Sequence, residues 1–406
     1  MSAAFDVLVI GGGAVGAVSA ALLSDDRQRR VGLIDLKRPQ MPDADSDFDP
    51  RVVAISPGSR NILSAVGAWQ AAPPDRLAAF TRMSVHSGSG SIEYRAAEHG
   101  LPCLGWIAEI PTLAAAAWSA LETAGRVELL AGSRLENIDF GRDRITLTLA
   151  DGARLTARLV VAADGARSRL RRLAGIETDS WHYNQHAVIA HVECERTNPG
   201  QCWQRFTDDG PLAFLPLPDG RSSIVWSLPS EQARQLQGAG NRATRRALNR
   251  AADDLPFGRV VAVGQVYALP LIRRQARSLV DGRLVLAGDA GRTVHPLAGQ
   301  GLNLGLLDAA ALAEVLDDWT PRQDPGESLA RYDRWRTSAG AMVANGLHAI
   351  NELSAERTGL GRRLMGLGFA AGARLWPARE LFVQRACGLD ADSPRLARGQ
   401  NGRSAA

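Results

Sequence analysis

Three aspartates in this chain close short apolar runs. Asp35 ends Val31-Gly32-Leu33-Ile34, Asp164 follows Leu159-Val160-Val161-Ala162-Ala163, and Asp289 follows Leu284-Val285-Leu286-Ala287-Gly288. A carboxylate at a strand end accepts hydrogen bonds from hydroxyl groups. Glycine lets backbone come close to a ligand, and a helix start offers unpaired N–H groups and a positive dipole end. The third site is the fullest. Gly288-Asp289-Ala290-Gly291-Arg292-Thr293-Val294-His295-Pro296-Leu297-Ala298-Gly299-Gln300-Gly301-Leu302-Asn303-Leu304-Gly305 runs from a strand end through a glycine-rich loop into a helical pattern that lasts to about Trp319. These parts suit the holding of a polar cofactor. The pattern displays no nucleophile and no metal-type ligand spacing.

The elements that must position these residues begin at the N-terminus. Asp6-Val7-Leu8-Val9-Ile10 reads as a buried strand, and Gly11-Gly12-Gly13-Ala14-Val15-Gly16 matches G-x-G-x-x-G. A small, apolar helical stretch to Leu23 follows, then the second strand and Asp35, 19 positions after Gly16. Strand, glycine turn, helix, strand and acid together make the full context of a dinucleotide fingerprint. Gly11 permits the tight turn, Gly13 the approach of a pyrophosphate and Gly16 close helix packing, while Asp35 accepts from a ribose. Lys37 and Arg38 stand where they could meet a phosphate, but their ordinary reading is solvent exposure.

Farther along, Ser56 and Pro57 predict a helix start, with the helix running to Trp69. A hairpin is expected over 82–95 about Gly88-Ser89-Gly90, and an alanine-rich helix over 111–124. After Asp164-Gly165, the arginines Arg169, Arg171 and Arg172 read as a solvated helix face, with Arg167 set apart from them. From Trp181 to Leu279 short strands are joined by turns such as Asp209-Gly210 and Asp219-Gly220, the texture of an antiparallel sheet. Its aromatics Trp181, Tyr183, Trp203, Phe206, Phe214 and Trp226 either wall a pocket for an aromatic ligand or form an ordinary core. Residues 232–254 read as helical and 260–271 as strand. Helices are expected over 328–356 and 361–388; the second mixes apolar residues with arginines and reads as packing on the protein rather than on a membrane surface.

Composition excludes several classes. At 406 residues two or three structural units are expected, and 45% apolar residues is ordinary for a globular protein. No run approaches the ~18–20 apolar residues of a membrane span, and the immediate entry into a strand argues against a signal peptide. Cys103, Cys194, Cys202 and Cys387 lack metal-type spacing and read as reduced thiols of a cytoplasmic protein. A net charge of +4, with dispersed arginines, argues against nucleic acid as a partner.

Taken in order, the glycine turn with Asp35, Asp164-Gly165, and Gly288-Asp289 with its loop resemble the flavin-dependent aromatic hydroxylases of the para-hydroxybenzoate hydroxylase fold, over residues 5 to about 320. His295-Pro296-Leu297-Ala298-Gly299-Gln300-Gly301-Leu302-Asn303-Leu304-Gly305-Leu306 is similar to the signature of the ubiquinone-biosynthesis hydroxylases within that group. Arg51-Val52-Val53-Ala54-Ile55-Ser56 and the run from Arg205-Phe206 to Leu217 also resemble segments of these enzymes.

The resemblance implies an α/β fold: a Rossmann-like FAD-binding domain (1–79, 98–178 and 279–320) interrupted by an antiparallel β-sheet substrate domain (80–97 and 179–278). C-terminal helices (321–390) and a flexible tail (391–406) complete the expected division. It further implies that Gly11, Gly13 and Gly16 admit the FAD pyrophosphate, Asp35 holds the adenosine ribose and Arg51 reaches back to the cofactor. Asp164 belongs to a motif associated with FAD and the pyridine nucleotide, and Asp289 binds the ribityl chain. Gly299, Gly301, Leu302 and Asn303 bring a helix N-terminus to the flavin pyrimidine edge, where it stabilises the anion of reduced flavin.

Pro296 falls beside the substrate ring; His295 either carries a proton or only shapes the loop. Arg292 stands where many relatives carry histidine. The implied activity is FAD-dependent monooxygenation of a phenolic ring through a flavin C4a-hydroperoxide, with NAD(P)H as electron donor and dioxygen as co-substrate. The implied substrate is a lipid-like, polyprenylated intermediate of ubiquinone biosynthesis. Other ubiquinone-biosynthesis proteins and peripheral contact with the inner face of the membrane are the implied partners. A hydroxylase of a small soluble aromatic compound, and a flavoprotein acting mainly as an assembly partner, are the alternatives.

Overall fold

Five parallel strands form the spine of the computed structural model, which describes residues 3–24, 29–88, 90–294, 299–355 and 376–400. Across the sheet they run Leu284–Leu286, Arg154–Ala162, Ala3–Ile10, Val31–Asp35 and Val127–Ala131. Antiparallel strands Val280–Asp281, Ile145–Leu149 and Leu135–Phe140 enlarge the sheet to eight. The central strands are near-continuous apolar runs because both faces are covered, as parallel sheets require. Val7, Leu8, Val9, Leu33, Leu159, Val160 and Val161 have no solvent exposure. Register sets where these strands end. Ile10 pairs with Ala162 and with Ile34, and Ala162 pairs with Leu286. The carboxyl ends therefore finish level, and the chain leaves this edge through Gly11, Asp35, Ala163-Asp164 and Ala287–Asp289.

Helix Ala14–Leu23 packs between helices Ile110–Ala124 and Gln300–Val315. A second sheet of nine strands stands beside the first, with strand Thr178–Cys194 at its heart. It is antiparallel except where Gln201–Phe206 runs parallel to Arg82–Ser87, and this pair joins the early hairpin 82–95 to the later insert. Helices Ser230–Gly238 and Asn241–Ala251 cover one face through Ala233 and Leu248, over Trp203, Phe214, Ile224 and Trp226. On the same sheet Val85, Ile92 and Phe206 gather with Met83, Tyr94 and Ile350 of the long helix Gly326–Ala355. A small antiparallel sheet is formed by Val52–Ile55, Gly105–Glu109 and Leu77–Phe80.

Several expectations are corrected. The helix expected over 57–69 breaks into Pro57–Ala65 and Ala68–Ala71, because Gly67 takes a left-handed φ of 78° between them. Residues 260–271 form two strands, Val260–Val263 and Tyr267–Ala276. The flexible tail expected from 391 is instead packed as far as residue 400. Ala397 is fully buried, Arg395 pairs with Glu314 and Asp317, and Trp335 Nε1 donates to the Asp392 carbonyl. Local composition predicts fraying, but these long-range partners hold the segment. Of the helix expected over 361–388, the part before Trp376 lies outside the described residues; Trp376–Ala386 is helical. Among the central aromatics, Trp203, Phe206, Phe214 and Trp226 are buried, whereas Trp181 is 52% exposed.

Candidate active site

The glycine turn shows a division of labour among its glycines. A Cβ on Gly11, whose φ is 105°, would lie 2.3 Å from the Ala163 carbonyl oxygen, and one on Gly16 would lie 1.8 Å from the Gly11 carbonyl oxygen. Both positions need glycine to let backbone meet backbone. A Cβ on Gly13 would meet nothing within 4 Å. Gly13 is exposed at the N-cap of helix Ala14–Leu23, so the space before that helix's free N–H groups is open, the arrangement that accepts a phosphate. Asp35 faces the same turn. Its carboxylate accepts from the N–H groups of Gly12 and Lys37 and thereby ties the second strand to the loop. Lys37 and Arg38 are exposed, and Arg38 pairs with Glu122.

Trp118 carries no local signal in the sequence that would single it out. It is almost wholly buried, donates from Nε1 to the Gly12 carbonyl at 2.6 Å, and its ring fills the space a Gly12 side chain would need. Trp118→Phe strands that carbonyl and is expected to cost about 1–2 kcal/mol. Urea unfolding measures this, and an unchanged midpoint would remove Trp118 from the support of the loop.

At the second acid, Asp164 Oδ2 accepts from the N–H groups of Arg169 and Leu170 at 2.7 and 3.3 Å. Its Oδ1 is buried without a protein partner, so a ligand donor there would complete it. Of the neighbouring arginines read as a solvated face, Arg172 is exposed as expected, but Arg169 and Arg171 are not. Arg171 is 3% exposed and donates to the Ala290 carbonyl at 2.6 Å and the Ala166 carbonyl at 3.2 Å. Arg169 donates to the carbonyls of Leu135 and Glu136, whereas Arg167 and Arg172 are exposed. The short helix Arg169–Leu173 turns Arg171 inward, against the third loop.

At that third loop Asp289 is an exposed residue whose carboxyl is crowded by surrounding protein. This partial desolvation pushes its carboxyl up to about 6. Gly301, in the first turn of helix Gln300–Val315, lies close by: a Cβ there would be 4.0 Å from Asp289 Oδ1. The start of this helix is pinned by Asn303, which is 2% exposed. Asn303 Oδ1 accepts from Ser56 N–H at 3.0 Å, and Nδ2 donates to the Ala54 carbonyl at 2.8 Å. Gly299 takes a left-handed φ of 60° hard against Ala54, so the helix opens with its first N–H groups beside Asp289. Asn303 thus acts on the loop through backbone, and its own polar atoms are already engaged.

The strand ends bring Gly11, Gly13, Gly16, Asp35, Asp164, Asp289, Gly299, Gly301, Leu302 and Asn303 to one side of the parallel sheet. Arg51 differs from the expectation: its guanidinium turns to Asp49 at 3.1 Å and is more than half exposed. His295 and Pro296 lie outside the described residues. Among the described residues no cluster of three or more His, Cys, Asp or Glu side chains could hold a metal.

A family model described as FAD binding domain matches residues 4–346. The chain belongs to this family of FAD-dependent monooxygenases. The open space at Gly13, the unpartnered Asp164 Oδ1 and the accessible Asp289 carboxylate are consistent with FAD, which when bound supplies electron transfer and oxygen activation. The chain is 37% identical to the 3-demethoxyubiquinol 3-hydroxylase of Escherichia coli over 330 residues, covering 80% of this chain and 82% of that protein. It is 33% identical to the ubiquinone hydroxylase UbiL of Rhodospirillum rubrum, covering 97% and 92%. Among solved structures, the p-nitrophenol 4-monooxygenase PnpA of Pseudomonas putida shares the fold, with a TM-score of 0.77 at 20% identity over 96% of this chain and all of that one. The monooxygenase is therefore of the para-hydroxybenzoate hydroxylase fold, within the ubiquinone-biosynthesis hydroxylase family.

Proposed function

We propose that this FAD-dependent monooxygenase hydroxylates a phenolic ring on a polyprenylated intermediate of ubiquinone biosynthesis, with NAD(P)H as reductant and dioxygen as co-substrate. The observation that carries the substrate reading is the 37% identity to a 3-demethoxyubiquinol 3-hydroxylase across four-fifths of the chain. In this reading Gly11, Gly13 and Gly16 form the turn that receives the FAD pyrophosphate, and Asp35 holds the turn and the ribose. Asp164 accepts from the cofactor with its unpartnered oxygen, and Asp289 accepts from the ribityl hydroxyls. The first turn of helix Gln300–Val315, with Gly299, Gly301, Leu302 and Asn303, places its positive end at the flavin pyrimidine edge. Arg51 leaves Asp49 to meet the cofactor. Pro296 is assigned to the substrate ring, and His295 to proton transfer or to the shape of the loop.

The domain reading follows the two large sheets: 1–79, 98–178 and 279–320 for FAD, 80–97 and 179–278 for substrate, with helices over 321–390. Among the described residues no helix is long and apolar enough to cross a membrane. We place the enzyme in the cytoplasm, in peripheral contact with the membrane and with other proteins of the pathway.

Expression in strains blocked at single hydroxylation steps of quinone synthesis tests the reading. One accumulated intermediate should disappear and its hydroxylated product appear, with part of the protein in the membrane pellet. If no blocked step is relieved while purified protein hydroxylates a small soluble phenol, the quinone substrate is wrong. If every fraction stays soluble, the membrane contact is wrong.

A further inference from the structure

Asp308 stands in the middle of the apolar helix Gln300–Val315, and it is completely buried. Its two carboxylate oxygens are both engaged. Oδ2 accepts from the N–H of Gly288 at 3.2 Å. Oδ1 accepts from Arg292 Nη2 at 2.8 Å and from Arg336 Nε at 2.7 Å, and Arg292 Nη1 donates onward to the Arg336 carbonyl at 2.9 Å. Both arginines are 2% exposed. A buried charge this far from water is tolerated only when paired, and removing one partner leaves the rest uncompensated.

The three elements tied by this network are the Gly288–Thr293 loop, helix Gln300–Val315 and helix Gly326–Ala355. Close packing reinforces the tie. A Cβ on Gly305 would meet Gly288 Cα at 3.0 Å and Val15 Cγ2 at 2.6 Å, and Tyr332 Oη donates to the Leu286 carbonyl at 2.9 Å. Gly340 faces Arg292 directly: a Cβ there would fall 1.7 Å from Nη1, 2.5 Å from Cζ and 2.9 Å from Cδ. A free guanidinium could swing aside, but this one is held at both ends, so moving it breaks its bonds to Asp308 and the Arg336 carbonyl.

We infer that Asp308 is a positioning residue for the Asp289 loop, held in place by Arg292 and Arg336, and that Gly340 is the residue that admits Arg292. The space that a Gly340 side chain would need is taken by the Arg292 guanidinium, so Arg292 and Gly340 form a matched pair. The long helix also carries Ile350 against Val85, Ile92 and Phe206, and its Asn345 accepts from Arg273 at 2.6 Å. The same network thus sets the distance between the Asp289 loop and the second sheet.

The inference rests on the FAD reading of Asp289, and a double-mutant cycle separates the two. Wild type, Gly340→Ala, Arg292→Met and the double variant are purified as full chains. Thermal unfolding of the flavin-free protein and FAD affinity by fluorescence quenching are measured for each. Gly340→Ala alone should lower Tm by roughly 5 °C or more and weaken FAD at least tenfold, with a shifted flavin absorption band. In the Arg292→Met background the same alanine should cost little in either readout. Should Arg292→Met not fold, Arg292→Lys, which keeps the charge on a slimmer head, serves as the second background. Equal costs of Gly340→Ala in both backgrounds would overturn the matched pair. A fall in Tm with unchanged FAD affinity and spectrum would reduce the network to a structural support and overturn its positioning role. Failure of wild type to bind FAD would remove the cofactor reading and the positioning role together, while the Tm cycle would still decide the Arg292–Gly340 pair.

Discussion

Asp289→Ala is expected to yield folded protein that purifies without flavin. Each hydrogen bond to a charged acceptor contributes about 1.5–3 kcal/mol, so loss of the ribityl acceptor should weaken FAD by about 10- to 150-fold. Isothermal titration of the flavin-free protein checks this, and stoichiometric FAD in the variant would show that Asp289 holds no part of the cofactor. The pH dependence has a definite sign. Partial burial raises the carboxyl to about 6 before the cofactor binds. Ribityl hydroxyls donate to the ionised form, so binding draws the proton off. Affinity should be full above that pH and fall as pH drops through it. Asp289→Asn should flatten the profile. Linkage in the flavin-free protein runs the opposite way, because the folded chain holds the proton more tightly than the unfolded one. Stability gained from this group is present at low pH and is lost as pH rises from the ordinary carboxylate range to about 6.

A second pair of substitutions should separate folding from cofactor binding within one turn. Gly16→Ala sets a methyl 1.8 Å from the Gly11 carbonyl oxygen and 3.1 Å from Ala163 Cβ, with no flexible group to yield. It should cost more than about 3 kcal/mol, at or beyond the upper end of overpacking penalties, and leave little soluble protein. Gly13→Val sets its side chain in open space, at φ −64° and ψ 175°, a conformation valine adopts readily. Its unfolding midpoint should match wild type. FAD should weaken by about 5- to 150-fold, the equivalent of roughly 1–3 kcal/mol of steric cost. Gly13→Val that binds flavin normally would move the pyrophosphate away from this turn.

What could be read from sequence was whatever chemistry repeats locally. The apolar runs before Gly11, Asp164 and Asp289 announce buried parallel strands, and glycine at fixed offsets announces the turns between strand and helix. The side-chain partners depend on packing between distant segments and were not legible. Arg171 looks in sequence like a solvated arginine among others, yet it is buried against Ala290, 119 positions away. Asp308 leaves a faint signal, an acid inside an apolar helical pattern, but its two arginine partners cannot be chosen by spacing. Trp118 leaves none. The packed segment 391–400 has the polar, glycine-containing composition of a tail, whereas Glu314 and Asp317 on another part of the chain hold Arg395.

The level finish of the parallel strands has a consequence for biosynthesis. Strand Ala3–Ile10 lies between Val31–Asp35 and Arg154–Ala162, and Leu284–Leu286 joins only on the far side of the latter. During translation the first strand can pair early with Val31–Asp35 but must wait for its second neighbour, made about 150 residues later, and the Asp289 loop follows after well over a hundred more. Such non-local pairing is slow, because long loops close before the contacts that repay them. With the proposed cofactor site, flavin capture is expected only after about three quarters of the chain has been made, and a ribosome stalled before residue 284 would carry the glycine turn without the Asp289 loop.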